Sequence, residues 1–88
     1  MRLTHHADLR RIQRRLPPDV VSTIYDYGLT AHVRGAVCLT LDARSIALAS
    51  ESDRRNRAKL ERYQGAYIVV GDGEAVLTVA RRRRRFRR

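Results

Sequence analysis

Three side chains near the amino terminus have types and a spacing that suit chemistry on a phosphate backbone. His6, Arg10 and Arg14 lie four residues apart, so a helix places them in one stripe, with Gln13 between the last two. A histidine titrates near neutral pH, and an arginine can bind phosphate and stabilise charge that develops in a transition state. Cleavage of RNA through its own 2′-hydroxyl needs a base, an acid and cationic stabilisation but no metal. The stripe therefore favours RNA cleavage, although a solvated basic helix face has the same spacing.

A second concentration of positive charge lies at the carboxyl terminus. Residues 81–88 contain seven arginines, so the rest of the chain is only mildly basic. Arginines displace counterions from nucleic acid, and Phe86 can stack on an unpaired base. We predict that this tail binds a polyanion, although a solvated terminus or an acidic protein partner fits the same charge. The candidate nucleic-acid-binding residues here are Arg81, Arg82, Arg83, Arg84, Arg85 and Phe86.

Length and composition exclude several classes of protein. A chain of 88 residues is expected to form one small domain with a thin core and no large internal substrate cavity. It has no apolar run long enough to span a membrane and no signal-like start, which predicts a cytoplasmic location. Its single cysteine, Cys38, excludes an internal disulfide, and the three histidines at 5, 6 and 32 match no metal-site spacing. We expect no metal and no cofactor.

Two helices are predicted in the first third of the chain. Thr4 is placed to cap a helix that continues to Leu16. Residues at helical spacing predict the face that packs on the core: His5, Leu9, Ile12 and Leu16. On this basis His5 is expected to be packed and hydrogen-bonded. A second helix is predicted from about Pro18 to Tyr27, closed by Gly28 in the left-handed conformation.

The remaining chain predicts strands and short helices. Residues 29–41 suit two short strands or one bent strand, and residues 43–49 suit a helix capped by Asp42, with a strand as the alternative. A further helix is predicted over residues 53–63.

A β-hairpin closes the predicted fold. Its strands are residues 66–70 and 75–80, and its turn contains Asp72 and Gly73. The prediction is an α+β fold, with N-terminal helices packed on a small antiparallel sheet and a closing β-hairpin. Residues 1–80 form its single compact domain, and residues 81–88 form the Arg-rich tail.

Short motifs extend this interpretation to a family. His6, Ala7, Arg10 and Arg14, followed by Asp19 and Val20, are similar to a His-Ala-x-x-Arg-x-x-x-Arg helix followed by an Asp-Val helix. Arg34, Gly35 and Ala36 are similar to a central Arg-Gly-Ala strand start, and residues 65–81 to a closing hairpin that ends in Thr-Val-x-Arg. In these features the chain resembles the RelE/ParE-like toxin superfamily, including BrnT-like proteins. Arg15 departs from the pattern, because a glycine often turns the chain there, and Ala80 stands where relatives commonly have Tyr.

The resemblance implies a RelE-like fold and a toxin that cuts messenger RNA and is neutralised by an antitoxin protein. It assigns candidate catalytic roles to His6, Arg10 and Arg14, and phosphate contacts to Arg81, with Arg34 a further nucleic-acid-binding candidate. The predicted function is a metal-independent endoribonuclease toxin, with RNA and an antitoxin as partners. The alternatives are a noncatalytic nucleic-acid-binding module and a basic subunit that binds an acidic protein. Superfamily members differ in activity, so the fold does not choose among these.

Overall fold

A computed structural model describes residues 1–51 and 53–81 of the chain. The strands are β1 (Arg2–Leu3), β2 (Leu29–Val33), β3 (Ala36–Thr40), β4 (Ala66–Val70) and β5 (Ala75–Arg81). The helices are α1 (His5–Gln13), α2 (Pro18–Tyr27), α3 (Ala43–Ala49) and α4 (Arg54–Glu61). The predicted α+β class is confirmed.

The five strands form one sheet in the order β1-β5-β4-β3-β2. Strands β2, β3, β4 and β5 pair antiparallel with one another, as predicted. The sheet as a whole is mixed, because β1 pairs in parallel with β5 through Arg2 opposite Ala75 and Leu3 opposite Val76. Strand β1 was not predicted, because two residues are too few to show a periodic pattern.

One face of the sheet packs against all four helices. Alternate strand residues enter the core, and α2 contributes the predicted apolar residues Val20, Val21 and Ile24. The buried strand residues are Leu39, Ala66, Ile68, Val70, Ala75, Val76 and Val79. Helices α1, α3 and α4 join the same core through Ala7, Ile46 and Leu60. The protein therefore has two layers, helices and sheet.

The opposite face of the sheet carries no charged side chain over strands β2 to β5. Strand register places on this face Leu29, Ala31, Val33, Ala36, Cys38, Thr40, Tyr67, Val69, Thr78 and Ala80. The β2 members are exposed, and the others are half-buried. No helix within residues 1–51 and 53–81 packs on this uncharged face.

The predicted packing of α1 is wrong. Ala7 is fully buried, whereas Leu9 is 46% exposed, Ile12 is 57% exposed and His5 is exposed. A small alanine side chain lets the helix approach β5 closely, so the helix turns its row of larger apolar side chains toward solvent. Of the four residues predicted for the packed face, only Leu16 is buried.

Leu16 reaches the core because α1 ends earlier than predicted. The Leu16 N–H donates to the Arg11 carbonyl oxygen over 2.9 Å, and the Arg15 N–H donates to that of Ile12 over 3.1 Å. These two bonds form a Schellman motif, in which the residue after the helix adopts the left-handed conformation. Arg15 has φ +56°, so an arginine occupies a position that favours glycine.

Several other predicted boundaries are confirmed. Helix α2 spans the predicted residues, and α3 follows Asp42, which caps it together with Ser45. Gly28, however, has φ −59° and is not left-handed as predicted. A Cβ atom at Gly28 would lie 2.6 Å from the Ile24 carbonyl oxygen, so close packing favours glycine there.

The closing hairpin also follows the prediction, with one extension. Strand β5 includes Arg81, which the sequence analysis placed in the tail. Residues 82–88 lie outside the described residues. Among the described helices, none has the length and apolar character needed to cross a membrane.

Candidate nucleic-acid interface

Thr4 fixes the start of α1 against β5. Its Oγ1 accepts a hydrogen bond from the Ala7 N–H over 3.1 Å, as predicted for a cap, and donates to the Leu77 carbonyl oxygen over 3.3 Å. Its own N–H donates to the Val76 carbonyl oxygen over 3.0 Å. One residue thus caps the helix and anchors it to the sheet, which sets the direction in which α1 presents its side chains.

The three residues predicted as catalytic are His6 and Arg10 of α1 and Arg14 at its C-cap, and they are called the α1 stripe below. Ala7 faces the core, and a turn of about 100° per residue puts the whole stripe to one side of it. His6 and Arg14 are exposed and Arg10 is half-buried. Their side chains make no hydrogen bond or ion pair with any described residue. The stripe is therefore available to an external ligand.

Arg11, on the other flank of α1, has a structural role. Its Nη2 lies 3.1 Å from Asp8 Oδ1 in an ion pair, and its Nη1 donates to the Leu16 carbonyl oxygen over 3.3 Å. The ion pair lies within α1, and the bond to Leu16 ties the helix to the turn that follows it. The protein thus neutralises the arginine on one flank and leaves those of the α1 stripe without an acidic partner.

Arg81 is directed toward the end of α4. Its Nη2 donates to the Arg62 carbonyl oxygen over 2.7 Å, and its guanidinium carbon lies 5.3 Å from the centre of the Tyr63 ring. The described residues contain no hydrogen bond between Arg81 and the α1 stripe. A phosphate contact by Arg81 would therefore have to form beside its bond to α4 or replace it.

The structure does not bring Arg34 together with Arg81. Arg34 lies in the turn between β2 and β3, next to the end of the sheet where Val37 pairs with Val70. Arg81 pairs with Ala66 at the other end of the sheet. Two strands also separate β2 from β5, a distance of about 14 Å between strand axes. The two arginines occupy opposite corners and cannot bind one phosphate.

The predicted tail residues Arg82, Arg83, Arg84, Arg85 and Phe86 lie outside the described part of the chain. The point from which they continue is known, because Arg81 ends β5 beside α4.

A groove of about 390 Å³ lies between the amino terminus, α1 and α2. It is lined by His5, Asp8 and Arg11 rather than by the α1 stripe. Asp8 and Arg11 already pair with each other.

The arginines of α4 form a basic face for which no role was predicted. Arg54, Arg55 and Arg62 are exposed on the side of α4 away from the buried Leu60, and no described residue pairs with their side chains. Lys59 differs from them, because it forms an ion pair with Asp19 of α2 and thereby lowers the pKa of that carboxyl group. The excess of arginine over acidic residues in this helix is visible in the sequence, but charge alone does not assign it a role.

The described residues contain no group of three or more His, Cys, Asp or Glu side chains placed to hold a metal ion. Comparisons of the chain with protein-family models, curated proteins and solved structures found no match. The resemblance to the RelE/ParE-like superfamily stays a prediction that rests on the sequence motifs.

Proposed function

We propose that this protein is a metal-independent endoribonuclease of a toxin–antitoxin pair, and that its α1 stripe cleaves RNA. One observation carries the proposal: Arg10 and Arg14 have no partner among the described residues, whereas Arg11 between them is paired with Asp8. Unpaired guanidinium groups beside an exposed histidine suit a phosphodiester, which carries one negative charge and gains more as it reacts. The sequence resemblance supports the same activity.

The chemistry uses groups that the stripe contains. His6 takes the proton from the 2′-hydroxyl as that oxygen attacks phosphorus. The bond between phosphorus and the 5′-oxygen breaks, which leaves a 2′,3′-cyclic phosphate and a 5′-hydroxyl that receives the proton from His6. Arg10 and Arg14 bind the nonbridging oxygens, where charge increases in the transition state. Arg81 and the basic tail hold neighbouring phosphates.

Cleavage assays in the presence of EDTA test the proposal, with His5→Ala as the matched control for His6→Ala. Both histidines are exposed neighbours at the start of α1, but only His6 belongs to the stripe. We expect wild type and His5→Ala to release a cyclic phosphate, and His6→Ala to be slower by at least about 100-fold. Cleavage by His6→Ala at the wild-type rate rejects the assigned role.

A second pair of variants separates catalysis from general attraction to RNA. Arg10→Ala/Arg14→Ala and Arg54→Ala/Arg55→Ala each remove two positive charges from exposed or half-buried positions. The first pair should lower the rate at saturating RNA, while the second should lower only affinity. Equal effects of the two pairs on the saturated rate would count against a specific role for the stripe.

Noncatalytic binding of nucleic acid is the second candidate function. The observation that favours it is that His6 is the only side chain of the stripe able to transfer a proton near neutral pH. This function predicts salt-sensitive binding without product, and a marked loss of affinity when residues 82–88 are deleted. The cleavage assay decides between the two candidates.

The toxin assignment adds a partner and a location. RNA as substrate and a single unpaired cysteine suit the cytoplasm. Induced expression should arrest growth, and coexpression of an antitoxin protein from a neighbouring reading frame should relieve the arrest. Growth that continues normally while the folded protein accumulates rejects the toxin assignment.

A further inference from the structure

Strand β2 is an edge of the sheet, and no strand within residues 1–51 and 53–81 pairs with its outer side. Its sequence, Leu-Thr-Ala-His-Val, contains no proline, lysine or acidic residue, its pairing with β3 has no bulge, and all five residues are exposed. Edge strands usually contain a proline, a charged residue or a bulge, or they are very short. Without such a feature, their unpaired backbone groups recruit further strands. The opposite edge, β1, has only two residues. Of the two edge strands in the described part of the chain, β2 is the long one, and no described strand pairs with its outer side.

The turn after β2 determines which of its backbone groups are free. Arg34 and Gly35 both have positive φ, at +49° and +78°, as in the two-residue turns that close β-hairpins. In such a turn the flanking residues, here Val33 and Ala36, bond to each other.

Because bonded and non-bonded pairs alternate along an antiparallel ladder, Ala31 and Leu29 also bond to β3. The backbone N–H and C=O groups of Thr30 and His32 therefore point away from the sheet, toward the open edge. These two residues supply the free donors and acceptors of β2.

We infer that β2 is a self-association edge, along which a second copy of this chain pairs antiparallel about a two-fold axis at Ala31. In this register Thr30 of each copy lies opposite His32 of the other, so the outward backbone groups meet and form four hydrogen bonds. The two sheets then join into one sheet of ten strands. Because the same strand of both copies forms the interface, no other protein is needed to satisfy the outward backbone groups of β2.

The side chains agree with the same register. Leu29 of one copy lies opposite Val33 of the other, and these residues are 57% and 54% exposed in the single chain. Both lie on the uncharged face of the sheet, so pairing extends that face across the axis. His32 lies opposite Thr30 rather than opposite a second histidine, so no like charges meet.

The high positive charge of the chain does not oppose this arrangement. Strand β5, from which the basic tail continues, is at the far side of the sheet from β2. In the ten-stranded sheet the two β5 strands are about 33 Å apart, several times the Debye length of about 8 Å at physiological salt. The Arg81 side chains at the ends of the two β5 strands therefore repel each other weakly. The strand interface is small, so we expect a reversible dimer.

Sedimentation of the full chain over a series of concentrations tests the inference, with a pair of variants at Thr30. Thr30→Pro removes an N–H that points to the open edge and leaves the bonds to β3 intact, so it should abolish the dimer without unfolding the chain. Thr30→Val keeps the N–H and should dimerise like wild type. Ala31→Lys, which puts two charges at the axis, should also give a monomer and serves if Thr30→Pro does not fold.

A cysteine at the axis tests the register. Cα atoms of a directly opposed, non-bonded pair lie about 4.5 Å apart, within the range of a disulfide. Ala31→Cys should form a covalent dimer under mild oxidation, in a Cys38→Ala background because Cys38 is opposite Ala31 within the same chain. Leu29→Cys in that background should cross-link far less.

Three results would overturn the inference. If wild type is monomeric at every concentration, β2 does not self-associate, and its open edge would pair with a strand of another protein. A dimer that persists in Thr30→Pro or Ala31→Lys uses a different surface. A dimer that these variants abolish, but in which Ala31→Cys does not cross-link, pairs in another register.

Discussion

Arg81 donates a hydrogen bond to the main-chain carbonyl oxygen of Arg62, and the two atoms are 2.7 Å apart. Arg62 is the C-cap residue that directly follows α4, where carbonyl oxygens have no partner within the helix. A cation at this position also interacts favourably with the helix dipole. The last described residue of β5 therefore fastens α4 to the sheet, at the point from which the basic tail continues.

We expect Arg81→Ala to lower the free energy of unfolding by about 0.3–1 kcal/mol, because the end of α4 loses its cation and the exposed carbonyl turns to water. Urea denaturation measures the effect. Arg62→Ala is the matched control, since it removes an arginine side chain but keeps the carbonyl oxygen that Arg81 binds. An equal loss in both variants would show that the hydrogen bond contributes nothing specific.

Arg81 also has a predicted role in RNA binding, which a different measurement tests. Loss of one phosphate contact should weaken binding to all RNA sequences alike and reduce the salt slope by about one. Arg81→Ala with an unchanged salt slope would assign Arg81 to stability alone.

The end of α1 offers a stabilising substitution. Arg15 has φ +56°, a conformation that costs a side-chain-bearing residue free energy and costs glycine almost none. We expect Arg15→Gly to raise the free energy of unfolding by about 0.5–1 kcal/mol, after the entropy that glycine loses on folding. Gln13→Gly, two residues earlier in the right-handed helix, should lower it by a similar amount. Thermal unfolding of both variants checks this, and a lower melting temperature for Arg15→Gly would contradict it.

The cap of α3 should make stability depend on pH in acid. Hydrogen bonds from the Ser45 hydroxyl and then from the Ser45 N–H lower the pKa of Asp42 below its ordinary value. The folded state therefore favours the ionised carboxylate. Its contribution is complete above the pKa of the unfolded chain, about 3.9, and is lost as pH falls through the lower folded pKa.

Comparison of wild type with Asp42→Asn isolates this effect, because an asparagine also caps a helix but does not titrate. The advantage of wild type in urea denaturation should be constant from about pH 7 to about pH 5 and shrink as the pH falls further, to about pH 2. Ser45→Ala, which removes the donating hydroxyl, should reduce the pH dependence as well. A difference between wild type and Asp42→Asn that is constant over this range would contradict the prediction.

Local signals in the sequence were sufficient for much of the fold. Pro18 at the start of α2, Asp42 before α3, and the turn at Asp72 and Gly73 each act within a few residues, and all three elements form where predicted. The spacing of the α1 stripe likewise predicted that its members share one flank of a helix. Its role in catalysis is still a prediction.

The features that the sequence did not predict depend on contacts between distant parts of the chain. Pairing of β1 with β5 joins residues more than seventy positions apart. The separation of Arg34 from Arg81 follows from the order of the strands, which no local pattern specifies. In α1, the periodic pattern predicted that the row of larger apolar side chains packs on the core. The side with Ala7 packs there instead, because it allows the helix to approach β5 closely.

Substitutions in α1 should therefore follow the observed packing rather than the periodicity. Leu16→Ala removes a side chain that is 1% exposed and should cost about 2–5 kcal/mol of unfolding free energy, whereas Leu9→Ala, at 46% exposed, should cost less than about 1 kcal/mol. Ala7→Leu should cost about 1–3 kcal/mol, because α1 would have to move away from β5. Urea denaturation of the three variants measures these costs. A larger loss for Leu9→Ala than for Ala7→Leu would mean that α1 packs through its larger apolar row after all.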